Sequence, residues 1–297
     1  AGDSSGAESA AASMSVGKVH SYEFLGQLHV RLEPPHESRD MPLATRSYRR
    51  SLDLETATAS VSFHSVGGCA YERTAIVSAP DHVLALHINA TCEMDLRLHM
   101  DRRDGKSLVG GSSSAPSPAD STASLPLAGV ALALEGASSH DGVGFAAMLT
   151  VSEVYPTAAH LRVATDTGRA SHLAVSGARS LTLLLTATTD FGTRLVRQRE
   201  AKATLLARAA EVLRAAEAHS WAALYARHVE HHRARFGAFR FRLDSGVRRP
   251  TLPTGERLAT SRRSRSEDVG LLETFVQYGR YLLLASSGAA ATLPANL

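Results

Sequence analysis

The chain is sparing with the residues that staple small folds: its 297 residues include 2 cysteines, 1 tryptophan and 11 prolines. Two cysteines, Cys69 and Cys92, are too few for a disulfide framework, and whether they pair depends on an oxidising compartment. No uninterrupted apolar run approaches the roughly 18–20 residues of a membrane-spanning helix. Charge of one sign is scarce too, since the net value is only +3 and the pI near 9.0 reflects a slight arginine excess. The tightest basic cluster, Arg262-Arg263 with Arg265, has no interleaved aromatics to stack on bases. It reads as a solvated loop, and nucleic acid is not an expected partner.

Common catalytic signatures are missing as well. Gly105-Lys106-Ser107 lacks the upstream glycine and the strand–loop–helix setting of a phosphate-binding loop. There is no Gly-x-Ser-x-Gly nucleophile elbow. His228, His231 and His232 place three imidazoles within one helical turn, yet the glutamate of a His-Glu-x-x-His motif is absent and no third ligand suggests itself. They read as a solvated or interface helix face, with no metal and no organic cofactor implied. Ala1 to Ser15 are small and polar, without the basic-then-apolar order of a signal peptide or an initiator methionine. The expectation is that a signal has been removed or that sequence is missing upstream.

What is present is β-patterning followed by helix. Length allows one large domain or two ordinary ones, and 44% hydrophobic with 21% charged residues is the balance of a globular protein. From Leu84 to Met100 every even position is apolar, while the odd positions from His87 onward are polar. Such a period of two predicts one buried and one wet face on a long strand or two collinear ones, and it points Cys92 into the core. Ala57 to Phe63 and Tyr71 to Val77, joined through Gly67-Gly68, predict a hairpin. Leu28 to Leu32, Val130 to Leu134, Phe145 to Val151 and Leu181 to Thr186 predict further strands, and many short strands without intervening helices indicate a sandwich. Gly105 to Ser124 is low in complexity and reads as a disordered excursion. Asn89-Ala90-Thr91 is a glycosylation sequon whose neighbours look like the interior of a strand.

From Arg197 to Phe236 the chain is rich in Ala, Leu, Glu and Arg. Apolar spacing predicts two helices with a break near His219-Ser220, the second capped by Ser220 and ended at Gly237. An extended stretch, Phe239 to Leu243, precedes the basic loop. Ser266 is expected to cap a last helix whose stripe is Val269, Leu272, Val276 and Leu283, with Glu267-Asp268 placing negative charge on its positive end. That helix runs into Leu293-Pro-Ala-Asn-Leu297, where the chain stops inside a turn, so it is expected to be a fragment cut near the start of a large helical domain.

Motifs in order along residues 20 to 297 make the chain resemble glycoside hydrolase family 95, the inverting α-L-fucosidases. Tyr22 to Leu32 is similar to that family's Tyr-x-x-Leu-Gly-Asp-Leu strand, and Tyr48 to Ala57 to its Tyr-x-Arg-x-Leu-Asp-Leu-x-x-Ala motif. Tyr71-Glu-Arg-Thr, Val77 to Asp81 and Thr189-Asp190-Phe191 continue the series. His228 to Phe236 resembles the family's linker, Leu252 to Leu258 its Leu-Pro-Thr-Asp-Glu-Arg-Leu with Gly255 in place of Asp, and Tyr278 to Leu283 with Leu293 to Leu297 the opening of its barrel. Ser287 to Ala291 departs from the family's Ser-Arg-Pro-Gly.

The resemblance implies a β-rich super-sandwich, a helical linker and the first helix of a truncated (α/α)6 barrel. In this numbering the divisions are a disordered or truncated 1–20, a sandwich over 21–195, a linker over 196–245 and the barrel start over 246–297. It also implies a terminal α-L-fucosyl or related galactosyl glycan as substrate, a secretory location, and a sandwich that packs on its own missing barrel. The catalytic glutamic acid and the asparagine–aspartate pair are expected downstream of Leu297. Arg280, Tyr281 and Asn296 are the candidates here for substrate contact, although helix packing is the simpler role for Arg280, Tyr281 and Tyr278. Among the carboxylates Glu256, Glu267, Asp268 and Glu273, Glu267 and Asp268 are accounted for by the helix start and Glu256 with Arg257 by a loop ion pair, and none of the four is assigned a catalytic role. The alternative from another class is a non-catalytic carbohydrate-binding or interaction module.

Overall fold

The period-two run at Leu84–Met100 becomes one of the two strands on which the rest of the fold is assembled. The computed structural model describes residues 23–33, 45–102, 108–113, 130–138, 142–165, 171–191, 201–243, 246–249, 251–264 and 267–287. Its strands are β1 (Gln27–Glu33), β2 (Thr45–Asp53), β3 (Thr58–Ser65), β4 (Ala70–Ser78), β5 (Val83–Asp101), β6 (Leu108–Ser113), β7 (Val130–Ala137), β8 (Gly144–Tyr155), β9 (His160–Thr165) and β10 (Ser171–Thr189). Four described helices follow: α1 (Lys202–Glu217), α2 (Trp221–Phe236), α3 (Thr254–Ser264) and α4 (Val269–Ser286).

All ten strands join one antiparallel sheet. β5 and β10, 19 residues each, pair along most of their length and divide the sheet into two halves. In one half β4 flanks β5 and β8 flanks β10; in the other β1 flanks β5 and β9 flanks β10. The register of β10 against β5 shifts around Ala178, next to Gly177 at φ +73°, and the sheet bends there. It then curls over itself, so that a Cβ on Gly26 would meet the Leu134 side chain of β7 at 2.5 Å.

Two cores result. The larger lies inside the curl and gathers Leu96 and Leu98 of β5, Leu132 and Leu134 of β7, Leu149 of β8 and Leu173 and Leu181 of β10. The smaller lies on the reverse face, where Ile76, Val83, Ala85 and Leu184 are covered by Leu213 and Ala216 of α1 and Leu224 of α2. β5 is therefore covered on both faces at its start and on one face beyond the bend, which explains why its alternation is cleanest in its second half.

Four features differ from the sequence-based expectations. Cys92 is not a core thiol: it is exposed at the bend and joined to buried Cys69 in a disulfide, Cα–Cα 5.7 Å. Even positions lose their cover where the register shifts, so the alternation misleads at that residue. Residues 108–113, expected within a disordered excursion, form β6 against β7. The segment carrying Arg262 and Arg263 is helix α3 rather than a loop, and the two arginines sit in its last turn, where cations complement the helix dipole. Ser266 lies outside the described residues, and the cap of α4 is Asp268, whose side chain accepts from Leu271 N.

The disulfide closes a loop with a sequence separation of 23, for which chain-entropy arguments give about 3 kcal/mol. Reduction, or Cys69→Ala with Cys92→Ala, is expected to lower the stability read from urea midpoints by about that amount.

Candidate functional site

The sequence motifs converge where the helices meet the sheet. Asp53 ends β2 by accepting from Glu55 N at 2.8 Å and Thr56 N at 3.2 Å, and Ala57 completes the turn at φ 48°. The turn presents three carbonyls to α2. His228 Nε2 donates to Thr56 O at 2.9 Å and lies 3.3 Å from Ala57 O; one helical turn on, His232 Nε2 donates to Leu54 O at 2.9 Å. Spacing by four residues puts both rings on one helix face. His232 also stacks on Phe236 and meets Tyr281 edge-on. The His-x-x-x-His-x-x-x-Phe pattern thus serves as the face that grips the β2–β3 turn.

Further ties fix α2. Arg227 Nε donates to Asp81 Oδ1 at 2.9 Å, and Ser78 Oγ donates to Asp81 Oδ2 at 2.6 Å. Ser220 Oγ caps the helix by accepting from Ala223 N. Trp221 stacks on His87 at 4.9 Å, and its backbone N donates to Glu153 Oε2. Thr182 Oγ1 donates to the same carboxylate and is left to accept from His87 Nδ1 at 2.9 Å. Burial pushes the His87, His99 and His228 imidazoles below their ordinary value, so they are held in the neutral form. At the far end of the sheet Asp190 accepts from Gly144 N at 2.8 Å, close enough that a Cβ on Gly144 would lie 3.2 Å from Asp190 Oδ2.

Beyond α2 a groove of about 830 Å³ opens between the β2–β3 turn, residues 239–242 and α4. Arg233, Arg240, Arg242 and Arg248 line it against Glu55 and Glu273. Arg248 pairs with Glu273 through both guanidinium nitrogens, and Leu243 N donates to the same carboxylate. The Arg248 hydrogen bond first, then the backbone bond, hold the Glu273 carboxyl down at about 2. Asp268 is likewise held at about 2, chiefly by a two-pronged pair with Arg257 at 2.9 Å for each bond. Arg257 therefore bonds across to the α4 cap rather than to Glu256, which is exposed in the first turn of α3.

Of the residues singled out for substrate contact, Arg280 reaches back from α4 to the end of α2. It donates to Phe239 O at 2.9 Å and Phe236 O at 3.1 Å, with its guanidinium over both phenyl rings. Tyr281 packs between His232 and Tyr278. Asn296 lies outside the described residues. Asn89 is exposed in mid-strand, and the sequon's Thr91 hydroxyl accepts from Ala70 N at 3.0 Å. Not read from the sequence were the partners of Asp81, which stood only as the end of the Val77 to Asp81 motif, the role of Glu153 and the capping role of Asp268. Only the last carried a local signal, an Asp three residues before Leu271 at a helix start.

Two chemical consequences are testable. The folded-state value of His228 lies below its unfolded value of about 6.5. The unfolded chain then takes up more protons as pH falls, so this contribution is fully present above about 6.5 and is lost below it. His228→Gln, which keeps a donor, should flatten the fall in denaturant midpoint between pH 7.5 and 5.5, whereas His228→Ala should cost roughly 1 kcal/mol for the lost hydrogen bond, since Thr58 Oγ1 still donates to Thr56 O at 3.2 Å. The depressed carboxyl of Asp268 contributes stability that is present above its ordinary 3.8 and lost as pH falls through about 2. Asp268→Asn should remove that acid limb and cost about 3 kcal/mol at pH 7 in a denaturant titration. This is the low end for a buried pair, because the Arg257 side chain keeps 11% of its surface exposed.

Residues 1–194 match the N-terminal domain of glycosyl hydrolase family 65, and residues 220–297 match the catalytic domain of glycosyl hydrolase family 95. An alpha-L-fucosidase 2 from Arabidopsis thaliana is 28% identical over 93% of this chain, which spans 32% of that protein's length. A solved structure of a human-microbiome protein described as a kojibiose phosphorylase shares 13% identity, with a TM-score of 0.38 over 68% of this chain and 23% of that one. Because the family 65 N-terminal domain covers more than half of the chain, the chain belongs to the glycosyl hydrolases by that domain, and its residues 220–297 are similar to the catalytic domain of family 95.

Proposed function

We propose that this chain is the N-terminal part of an inverting exo-glycosidase that removes terminal α-L-fucosyl, or related galactosyl, residues from oligosaccharides or cell-wall glycans. The observation that carries this reading is the match, over 93% of the chain, to an alpha-L-fucosidase 2. On it, residues 21–195 are the sandwich, 196–245 the linker and 246–297 the start of a helical barrel.

The chemistry supports placing the catalytic groups elsewhere. Inversion needs one carboxylic acid that still holds its proton near neutral pH and one base that activates water, roughly 6.5–9.5 Å apart. Asp268 and Glu273, both held at about 2, stay ionised and are committed to arginines. They cannot donate a proton to a leaving oxygen, and they serve instead to position α4. That helix leaves Phe275 75%, Leu272 45%, Leu282 43% and Leu283 42% exposed, an apolar face suited to packing against further helices of a barrel. Arg280 and Tyr281 then act by holding α4 to α2, and Asn296 stands as the candidate for sugar contact.

The test is to sequence the transcript through both ends of the reading frame and assay the encoded protein on aryl α-L-fucosides and galactosides, with the product anomer read by NMR. The expected result is a frame that runs from Leu297 into Gln-Gly and a helical domain bearing a glutamic acid, with fucose released in inverted form and none released by residues 1–297 alone. A stop codon after Leu297 would leave a carbohydrate-binding or interaction module and end the enzyme reading.

A further inference from the structure

Away from the helices, the outer face of the β1–β5 pair carries a cluster that the glycosidase reading does not use. The register sets His29 directly opposite His99, and Asp101 follows two residues along β5 on the same face. The two imidazoles stack with centroids 4.5 Å apart and planes within 19°. Both Nε2 atoms face one carboxylate oxygen, at 3.3 Å from His29 and 3.5 Å from His99. The three donor atoms lie within 4.8 Å of one another.

Hydrogen bonding alone accounts poorly for this arrangement. Both distances exceed the usual 2.7–3.2 Å of an N–H···O bond. The other carboxylate oxygen, Asp101 Oδ1, is buried with no hydrogen-bond partner at all, although buried polar atoms are nearly always satisfied. A cation between the two Nε2 atoms and the carboxylate answers both points when the carboxylate binds it through both oxygens, because it is a ligand that two imidazole lone pairs and Asp101 can share.

We propose that His29, His99 and Asp101 form a site for a divalent transition metal of the zinc class, which clasps β1 onto β5. Two imidazole nitrogens and one carboxylate oxygen favour zinc, cobalt, nickel or copper over magnesium or calcium, which seek oxygen ligands. Bonds of about 2.0–2.2 Å need the three donors to draw closer than they stand. The His29 side chain is 44% exposed and that of His99 34%, so both rings have room to turn inward. Three protein ligands leave a fourth position for water. Arg97 on the next rung, opposite Arg31 and 4.0 Å from Glu33, adds positive charge against which the three ligands must hold the cation. The Cys69–Cys92 disulfide takes both thiols out of competition. The strap is economical, because β1 pairs with β5 alone and has no strand on its other edge among the described residues.

The 297-residue chain, stripped with chelator and desalted, is titrated with zinc by calorimetry and with cobalt by visible absorption, alongside His29→Ala, His99→Ala and Asp101→Asn. The expected result is one tight zinc per chain, cobalt bands of low coordination number, and at least about a tenfold loss of affinity in each variant. Zinc should raise the melting temperature of the parent chain and leave that of His29→Ala unchanged. If His99→Ala fails to fold, the surface variant His29→Ala and the isosteric Asp101→Asn decide the matter. No zinc uptake by the parent, or uptake that survives His29→Ala and Asp101→Asn, overturns the proposal. The outcome is independent of whether the parent enzyme acts on fucosides.

Discussion

The junction between sheet and helices hangs on two imidazole hydrogen bonds, from His228 to Thr56 O and from His232 to Leu54 O. A tight turn leaves carbonyls without backbone partners, and each left unmet out of water costs on the order of 1–3 kcal/mol. By meeting them from successive turns of one helix, α2 fixes both its rotation and its distance from the β2–β3 turn. Everything beyond depends on that placement. Phe236, next along the same face, takes the Arg280 guanidinium over its ring, and His232 supplies the edge contact for Tyr281. The groove takes its wall from the same turn, through Leu54 and Glu55.

Arginine does most of the fastening that follows. Arg227 joins α2 to Asp81, Arg257 joins α3 to the cap of α4, Arg248 joins the 243–248 segment to α4, and Arg280 ties α4 back to the end of α2. A planar guanidinium suits this role because it makes two directed bonds at once and cannot be deprotonated. The cost is chemical versatility. A carboxylate paired with arginine is driven toward its ionised form, which makes it a good anchor and a poor proton donor. The helical end of the chain is therefore fastened by ionised carboxylates, and α4 keeps an exposed apolar face.

Much of the fold was legible because it rests on period. Strands β3, β4, β5, β7, β8 and β10 show alternation or dense β-formers, and helices α1 and α2 show apolar residues at helical spacing with Ser220 and Gly237 as punctuation. Strand β2 is rich in arginine and exposed, and β6 and β9 are six residues each, too short for a periodic signal. Helix α3 begins Thr254-Gly255 and ends in arginines and serines, a composition that local propensity assigns to a loop. What secures it is the Arg257–Asp268 pair, a contact 11 residues away in sequence that no local window contains. Cys92 obeyed the alternation in sequence and broke it in space, because it falls in the register shift between the Asn89–Ser180 and Met94–Ala178 pairs, where four residues of β5 face one of β10.

By itself the sequence determined the order of parts, strands then helices, and through its motifs the glycoside hydrolase family, since hydrophobic period and short spaced motifs are written in one dimension. It also named the residues that matter at the junction, among them Asp53, His228, His232, Arg257 and Arg280. Their roles came from tertiary structure alone. A histidine at i and another at i+4 without a third ligand read as a solvated or interface face, and only the three carbonyls of the β2–β3 turn, some 170 residues earlier, select the interface. Likewise His29 and His99 are 70 residues apart, and strand register alone sets them face to face beside Asp101. Pairing of distant segments follows from burying both sheet faces at once, a condition that belongs to the whole chain and to no stretch of it.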